Sequence, residues 1–359
     1  MRTIVLSFSI TDSSVTDYFI SLANQLAKSG MRVIVLADRM EEHHFTIDPS
    51  VEIFRWPSPR PTKLKDLLFA VKIFLRYRPE TVLAIFSSVN ICMVAGWLMR
   101  VRNRIAWSRT VSTAFHNTAS LNRRKVLIYK LATKVFANSE TTCRDLTDNF
   151  GVPRNKVRIF PNALSEPRIN ETKEPKRIQY VGRLLPEKGV DLLIEALPEI
   201  VRHQSDVVLE IIGGRVGMGR TKHYAEIAER LGVLDNVSFL GELPNSQVLK
   251  RLAGAACTVM PSFAEGFGWV IIESFSVGTP VVGTNATAIP EIIRDGQDGF
   301  LFRKGDKSDL AKKVIQMLSD ADLRGRMSDS CKDHFRANFD TRVVIPQVAA
   351  YLMADCADS

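Results

Sequence analysis

Between residues 177 and 284 the chain alternates short apolar segments with longer amphipathic ones, and this alternation constrains the fold most. The apolar segments are RIQYVGRL, VVLEIIGG, VSFLG, CTVMPS and PVVGT, and the amphipathic ones are VDLLIEALPEIVRH, KHYAEIAERLG, NSQVLKRLAGA and VIIESFSVG. Short strands separated by helical periods predict βαβ units and a parallel sheet covered by helices. The loops after such strands share one edge of the sheet, where ligands bind. We therefore expect a doubly wound α/β domain with its site among those loops.

The first half of the chain begins with the same pattern. TIVLSF predicts a strand, DYFISLANQLAKSG a helix and RVIVLAD a second strand, and RTVSTAFHN at 109–117 is a further strand candidate. The segment ALSEPRINETKEPK at 163–176 is polar, contains proline and lacks periodicity, which indicates a domain boundary. Since 359 residues exceed the usual size of one domain, we expect two domains with a cleft between them. They would comprise residues 1–165 and 166–340, with a helix at 341–359 crossing back to the first domain.

Residues 81–99, TVLAIFSSVNICMVAGWLM, carry no charge over a length that could span a bilayer. Within this run TVLAIF is β-branched and short, SSVN offers turn and capping residues, and ICMVAGWLM suits a helix. Parallel strands buried on both faces often produce such apolar runs. We therefore predict a strand and a helix of an α/β domain here, and no transmembrane helix.

The net charge of +9 comes from the first half of the chain alone. Residues 1–170 hold 25 lysines and arginines against 13 acidic residues, whereas residues 171–359 have a net charge of −3. Much of the excess lies in TKLKDLLFAVKIFLRYR at 62–78, where leucines recur at helical spacing beside cations. Such a helix either covers the sheet with a basic outer face or lies on an anionic membrane. The further cationic stretches WLMRVRNRIAWSR and NRRKVLIYK favour the membrane.

Several kinds of site lack their sequence motifs. SFSITDSS after the first strand has no glycine, which argues against a dinucleotide fingerprint, and no P-loop, H-E-x-x-H or G-x-S-x-G motif occurs. The five cysteines are far apart and include no C-x-x-C, so neither a disulfide framework nor a structural zinc is expected. The N-terminus has no signal-peptide pattern. We expect a cytoplasmic protein, peripherally associated with the inner face of the cell membrane.

Two cations and two acids remain as candidates for chemistry. Arg183 and Lys188 follow the strand IQYVG, where a strand-end loop can direct both toward a diphosphate. Glu265 lies in the loop FAEGFG, whose Gly266 and Gly268 would allow a ligand close to the backbone. Glu273 falls inside an apolar helix, where a carboxylate is costly without partners, and the diol of a ribose could be its partner.

Four ordered segments resemble the C-terminal domain of the family 4 retaining glycosyltransferases: YVGRLLPEKGVDLLIEAL, NVSFLGELPNSQVLKRLAGA, PSFAEGFGWVIIESFSVGTPVVGTN and IPEIIRDGQDGFLF. In the first half the resemblance rests on STAFHN, ANSETT and FPNAL. It implies the GT-B fold, in which two Rossmann-like, doubly wound α/β domains face each other across a cleft.

The resemblance also implies roles for individual residues. It implies a diphosphate contact for Arg183 and Lys188, a ribose contact for Glu273, and contacts to the donor sugar for Glu265 and His116. The backbone at Gly266, Phe267 and Gly268 would lie close to the donor. The residues expected to act in catalysis are His116, Arg183, Lys188 and Glu265.

The activity implied is transfer of a hexosyl unit from a UDP- or GDP-sugar to a saccharide or lipid-linked acceptor, with retention of anomeric configuration. Neither a metal nor another cofactor is expected, since the cations neutralise the leaving diphosphate. Synthesis of bacterial cell-surface polysaccharide or lipopolysaccharide is the expected setting. Two alternatives remain open: a nucleotide-sugar epimerase of the same fold, and a non-catalytic protein that binds a nucleotide sugar or nucleic acid. Recognisable nucleic-acid modules are missing, so no nucleic-acid partner is expected.

Overall fold

The computed structural model describes residues 2–41, 46–112, 119–169 and 171–354. The chain divides into two compact units. The first comprises the residues up to Ser165 together with those from Asp340 onward, and the second is Glu166–Phe339. Each unit has its own parallel sheet and its own apolar core. The expectation of two doubly wound α/β domains is therefore confirmed.

The first unit contains a seven-stranded sheet in the order β3-β2-β1-β4-β5-β6-β7, and all of its neighbouring strands are parallel. Its strands are β1 (Thr3–Ser7), β2 (Arg32–Ala37), β3 (Glu52–Arg55), β4 (Thr81–Ile85), β5 (Asn103–Ser108), β6 (Lys134–Ala137) and β7 (Val157–Ile159). β1 and β4 are buried along their whole length, as expected for central strands with helices on both faces.

The helices of the first unit follow its strands along the chain. They are α1 (Ser14–Lys28), α2 (Leu64–Tyr77), α3 (Val89–Leu98), α4 (Ala119–Leu131), α5 (Glu140–Phe150) and, from the end of the chain, α12 (Thr341–Ala354). α1 begins where the side chain of Ser13 accepts a hydrogen bond from the Thr16 amide, and α5 begins at Ser139 in the same way. The sequence 81–99 forms β4, a short 3₁₀ turn and α3, as predicted. Within the described residues no helix is long and apolar enough to cross a membrane.

The strand predicted at 109–117 is absent from residues 109–112, and residues 113–117 of the predicted segment lie outside the described residues. The strand that precedes this segment is Asn103–Ser108, which the sequence did not predict. Ile105, Ala106 and Trp107 are all fully or almost fully buried. Two neighbouring arginines, Arg102 and Arg104, made this segment resemble a cationic surface. The guanidinium of Arg104 instead bonds the carbonyls of Leu131 (2.7 Å) and Val101 (2.5 Å).

The second unit contains a six-stranded parallel sheet in the order β10-β9-β8-β11-β12-β13. Its strands are β8 (Glu174–Val181), β9 (Val208–Ile212), β10 (Val237–Gly241), β11 (Ala255–Met260), β12 (Val281–Thr284) and β13 (Gly299–Phe302). Its helices are α6 (Val190–His203), α7 (Arg220–Arg230), α8 (Asn245–Gly254), α9 (Trp269–Ser276), α10 (Lys307–Ser319) and α11 (Ala321–Asn338). The predicted alternation of strand and helix is present from β8 to β12, whereas β12 and β13 are joined by a loop with a short 3₁₀ turn at Ile289–Glu291.

The last helix, α12, packs against α1 and so belongs to the first unit. The guanidinium of Arg2 donates a hydrogen bond to the carbonyl of Met353 (3.2 Å). At the point where the chain returns, Leu164 pairs with Asp340 in a parallel bridge, and the Thr341 amide donates to the Leu164 carbonyl (3.2 Å). The first unit is therefore assembled from both ends of the sequence.

Candidate functional site

The topology of the second sheet singles out the loops after β8 and β11. The chain adds strands outward from β8 on one side and, from β11, on the other, so the strand order reverses between these two neighbours. In open α/β sheets, ligands bind outside the carboxyl ends of the strands at such a reversal. All four acidic and basic residues singled out in the second half of the sequence lie in these two loops or in α9, which follows the second loop.

The loop after β8 is fixed by contacts of its own. The hydroxyl of Tyr180, at the end of the strand, donates a hydrogen bond to the Arg183 carbonyl (3.0 Å). Burial, reinforced by the nearby charge of Glu265, raises the pKa of Tyr180 well above its usual range, so this hydroxyl keeps its proton. A short 3₁₀ turn at Pro186–Lys188 follows and ends at Gly189, whose φ of 66° lies in the left-handed region.

The loops after β8 and β11 lie directly against each other. The amide of Phe263 donates to the Glu187 carbonyl (2.9 Å). A Cβ atom placed on Gly189 would lie 2.2 Å from the Pro261 carbonyl oxygen, closer than real contacts allow. Gly189 is thus needed both for its backbone conformation and for the close approach of the second loop.

Lys188 and Glu265, one from each loop, form an ion pair. Lys188 Nζ lies 2.5 Å from Glu265 Oε1, and the two side chains are only 16% and 13% exposed. The Glu265 amide in turn donates to Thr287 Oγ1 (3.0 Å), from the segment after β12. Because Glu265 is held from both its backbone and its carboxylate, the flexible lysine side chain has a defined position at the strand-order reversal.

Arg183 lies beside a pocket of about 370 Å³ at the carboxyl ends of β8, β9 and β10. Gly214, Arg215 and Glu242 also line this pocket. Among the described residues, no carboxylate lies within 4 Å of the Arg183 guanidinium, so its charge is available to a ligand. The volume suits a small organic ligand. A ligand in this pocket would therefore extend from Glu242 to a guanidinium at the strand-order reversal.

The glycine-flanked loop after β11 leads into α9. Gly268 precedes the helix with a φ of 108°, and Phe267 is buried, with its ring 6.0 Å from that of Phe339. Glu273 lies in the second turn of α9 and is 8% exposed. The first-turn amides of a helix form a favourable environment for an anion. The predicted candidates Gly266, Phe267 and Gly268 thus lie between the ion-paired Glu265 and the start of this helix.

Sequence reasoning missed several residues of this region. Thr287, which holds the Glu265 amide, has a φ of 52° that nothing in its sequence context indicates. The pocket residues Gly214 and Arg215 did have a signal, because GGRVGMG directly follows β9 and all four of its glycines have positive φ. His116, predicted to contact the donor sugar, lies outside the described residues.

Two family models cover most of the chain. The model of glycosyl transferases group 1 matches residues 163–334, and the model of Glycosyltransferase Family 4 matches residues 15–166. The chain belongs to the group 1 and family 4 glycosyltransferases. The resemblance drawn from the sequence is thereby confirmed, and both units of this glycosyltransferase are accounted for by its family.

Curated relatives of this glycosyltransferase include D-inositol 3-phosphate glycosyltransferases. The protein of Nocardia farcinica is 28% identical over 260 residues, which are 65% of this chain and 58% of that protein. The protein of Corynebacterium glutamicum is 26% identical over 361 residues, covering 89% of this chain and 86% of the relative. Thus the match spans little more than half the length of the first relative and most of the second.

Among solved structures, the crystal structure of Anabaena Alr3699/HepE in complex with UDP-glucose resembles this chain along its whole length. Its TM-score is 0.79 at 19% sequence identity, with 99% of this chain and 100% of that chain covered. At this identity the likeness is one of fold, and it agrees with the GT-B fold expected from the sequence.

Proposed function

We propose that this protein transfers a hexosyl unit from a nucleoside-diphosphate sugar to an acceptor hydroxyl. One observation carries the proposal: the 2.5 Å pair of Lys188 and Glu265, at the strand-order reversal and in the same loop system as Arg183. Two cations at this point suit the diphosphate of such a donor, and a carboxylate suits the hydroxyls of its sugar. Membership of the family supports the same reaction.

In this proposal the donor is held over the loops after β8, β9 and β11. The nucleoside enters the 370 Å³ pocket, the diphosphate lies against Arg183 and Lys188, and the sugar reaches Glu265. Glu273 accepts hydrogen bonds from the ribose. The UDP-glucose complex of the Anabaena protein of similar fold makes a UDP-sugar the first donor to test, and a GDP-sugar the second.

We further propose that the reaction retains the anomeric configuration and requires no metal. The leaving diphosphate would accept the proton of the attacking hydroxyl, so the protein supplies position and positive charge. His116 would orient the sugar. The chain contains one Asp-x-Asp sequence, Asp320 to Asp322, and there the Asp320 carboxylate accepts the Leu323 amide (2.8 Å) as the N-cap of α11.

The acceptor we propose is a saccharide or a lipid-linked saccharide of bacterial envelope synthesis, used by a cytoplasmic enzyme at the inner face of the membrane. The outer face of α2 supports association with an anionic bilayer. Leu64, Leu68 and Leu75 are 70%, 62% and 58% exposed, and the exposed cations Lys72 and Arg76 lie beside them on the same face. Exposed leucines next to cations are typical of helices that lie in a membrane interface.

Thermal unfolding with a panel of UDP-, GDP- and ADP-sugars tests the donor. A ligand present at 100 times its Kd stabilises the fold by about 2.7 kcal/mol, so the correct donor should raise the unfolding temperature. Incubation with donor and extracted membrane saccharides, followed by NMR of the anomeric proton, then tests transfer and retention with and without EDTA. A protein that no nucleotide sugar stabilises contradicts the proposal. Conversion of donor alone into an altered sugar would indicate an epimerase.

A further inference from the structure

Besides the pocket of the second unit, the protein has a cavity in the first unit, at the opposite edge of the sheet from the carboxyl-end loops of that unit. It has a volume of about 370 Å³ and lies between the C-terminal ends of α2 and α3. The cavity lies at the amino-terminal edge of the sheet, because its lining residue Glu80 bonds the first residues of β1 and β5. The Glu80 amide donates to the Thr3 carbonyl, and the Glu80 carbonyl accepts from the Asn103 amide (both 2.9 Å). The nucleotide-sugar reaction proposed above uses no part of this cavity.

Three arginines line this cavity, and we call them the arginine triad: Arg78, Arg100 and Arg102. All three are exposed, and within the described residues none has a carboxylate within 4 Å. Glu80 also lines the cavity, but its ion pair is with Arg2, at 4.0 Å. The cavity therefore has an excess of positive charge, and guanidinium groups are well suited to bind phosphate oxygens in pairs.

The backbone at two of these arginines is unusual. Arg78 and Arg100 follow the ends of α2 and α3 with φ values of 45° and 53°, in the left-handed region where glycine or asparagine is usual. A cation after a helix interacts favourably with the helix dipole, which accounts for part of this choice. The dipole does not account for Arg102, because this residue lies further from the end of α3 than Arg100 does and still lines the same cavity.

Three large exposed apolar residues lie close to the triad along the chain. Leu75 lines the cavity and is 58% exposed, and Trp97 and Leu98 at the end of α3 are 55% and 51% exposed. α2 and α3 pack against each other, and Leu75 also belongs to the exposed leucine row of α2. Tryptophan favours the boundary between the hydrocarbon and the headgroups of a bilayer. A soluble anion would bind the arginines but leave this apolar surface in water.

We propose that the arginine triad binds the phosphate headgroup of an anionic phospholipid while Leu75, Trp97 and Leu98 enter the bilayer. One surface thereby meets both parts of a lipid: guanidinium groups meet the phosphate, and the apolar side chains meet the acyl region. This site rests on the membrane association proposed for the enzyme and gives it a defined headgroup contact. It is independent of the donor-binding loops, so donor binding and lipid binding are separable.

Vesicle binding followed by tryptophan fluorescence tests this site. The probe is a vesicle of equimolar phosphatidylglycerol and phosphatidylcholine, compared with phosphatidylcholine alone. Trp97 is the most exposed tryptophan, since Trp56 and Trp107 are 4% and 1% exposed and Trp269 is partly buried. Binding should shift the emission to shorter wavelength, and Trp97→Phe should remove most of the shift while the protein still co-sediments with anionic vesicles.

Charge removal and charge-conserving variants separate a headgroup site from a diffuse attraction. At about 1 kcal/mol for each cation at the surface, the variant R78Q/R100Q/R102Q should lose about 100-fold in vesicle partitioning. The control K250Q/K312Q/R326Q loses the same charge from exposed positions of the second unit and should bind like the wild type. The variant R78K/R100K/R102K keeps the charge but loses the guanidinium fork, and we expect a loss of about tenfold.

Each outcome decides the proposal. Equal binding by the triad glutamine variant and its control overturns the headgroup site and leaves membrane association by α2 intact. Full binding by the lysine variant likewise overturns it, because charge alone would then suffice. A wild-type protein that ignores anionic vesicles overturns both the site and the membrane association. Thermal unfolding with nucleotide sugars, measured on the same variants, reports whether they are folded and whether the donor proposal stands.

Discussion

Lys188 and Glu265 are 77 residues apart in the sequence, yet their charged atoms lie 2.5 Å apart between the loops after β8 and β11. Each was identified from its own motif, and the sequence did not indicate that they contact each other. The pair gives the ammonium a fixed position where a diphosphate is proposed to bind. It also means that a donor must interact with both charges together.

Replacing Lys188 should therefore reduce catalysis strongly. We expect Lys188→Ala to lower turnover by on the order of a hundredfold or more, because it removes a cation that stabilises the leaving diphosphate. Steady-state kinetics with the donor found by thermal unfolding measures this. The matched control is Lys222→Ala, which breaks an ion pair with Glu226 whose side chains are 70% and 60% exposed. Wild-type turnover by Lys188→Ala would contradict the proposed role.

Glu273 should affect binding of the nucleotide. Glu273→Gln keeps the shape of this buried side chain but weakens its acceptance of two ribose hydroxyls. We expect turnover to fall by about a hundredfold, with a smaller increase in unfolding temperature on addition of the nucleoside diphosphate. Glu229→Gln, at an exposed position of α7, serves as control. If Glu273→Gln responds to nucleotide like the wild type, the ribose contact is wrong.

Gly189→Ala should destabilise the second unit through its backbone. The added methyl group would lie 2.2 Å from the Pro261 carbonyl oxygen, and the φ of residue 189 is 66°, which side chains disfavour. We therefore expect a loss of about 2–4 kcal/mol in the free energy of unfolding. Gly232→Ala provides the control, since Gly232 has a φ of 68° and no atom within 4 Å of an added Cβ. That variant should lose about 1 kcal/mol. Equal effects in urea unfolding would show that the contact between the loops contributes little.

Asp298 should be among the costliest residues of the second unit to replace. Its fully buried carboxylate accepts from Arg294 Nε (2.5 Å) and lies 2.8 Å from His334 Nδ1 of α11. We expect Asp298→Ala to lower the free energy of unfolding by about 3–5 kcal/mol, because it leaves cationic and polar groups without their partner. By contrast, Glu195→Ala breaks the exposed pair with Lys307 and should cost less than about 1 kcal/mol. A loss at Asp298 as small as that at Glu195 would be inconsistent with this account.

Most of the fold could be predicted because the parallel strands are buried and the helices are amphipathic. β4 and α3 were separable within an uncharged run by the turn residues between them. β5 was missed because Arg102 and Arg104 flank its start, and the sequence does not show that Arg104 bonds backbone carbonyls. The edge strand β3 (Glu52–Arg55) was missed, since three half-buried residues and one exposed residue carry little periodic signal.

The site was predictable as a set of residues, but its geometry was not. Motifs identified Arg183, Lys188, Glu265 and Glu273 one by one, because each follows a strand or lies in an unusual environment. The contact of Lys188 with Glu265 depends on which strands are neighbours, and nothing in the spacing of the two motifs states that β8 pairs with β11. The positive φ of Thr287 could not be predicted either, because it follows from the packing of the loop after β12.

The pairing of Leu164 with Asp340 has a consequence for dissecting the protein. A gene cut after codon 165 would encode a fragment that lacks α12 and leaves the apolar side of α1 bare. Residues 166–339 leave and re-enter the first unit at neighbouring positions, so a short peptide could replace this whole segment. Fusing residue 165 to residue 340 through such a linker is therefore the rational way to produce the first unit on its own.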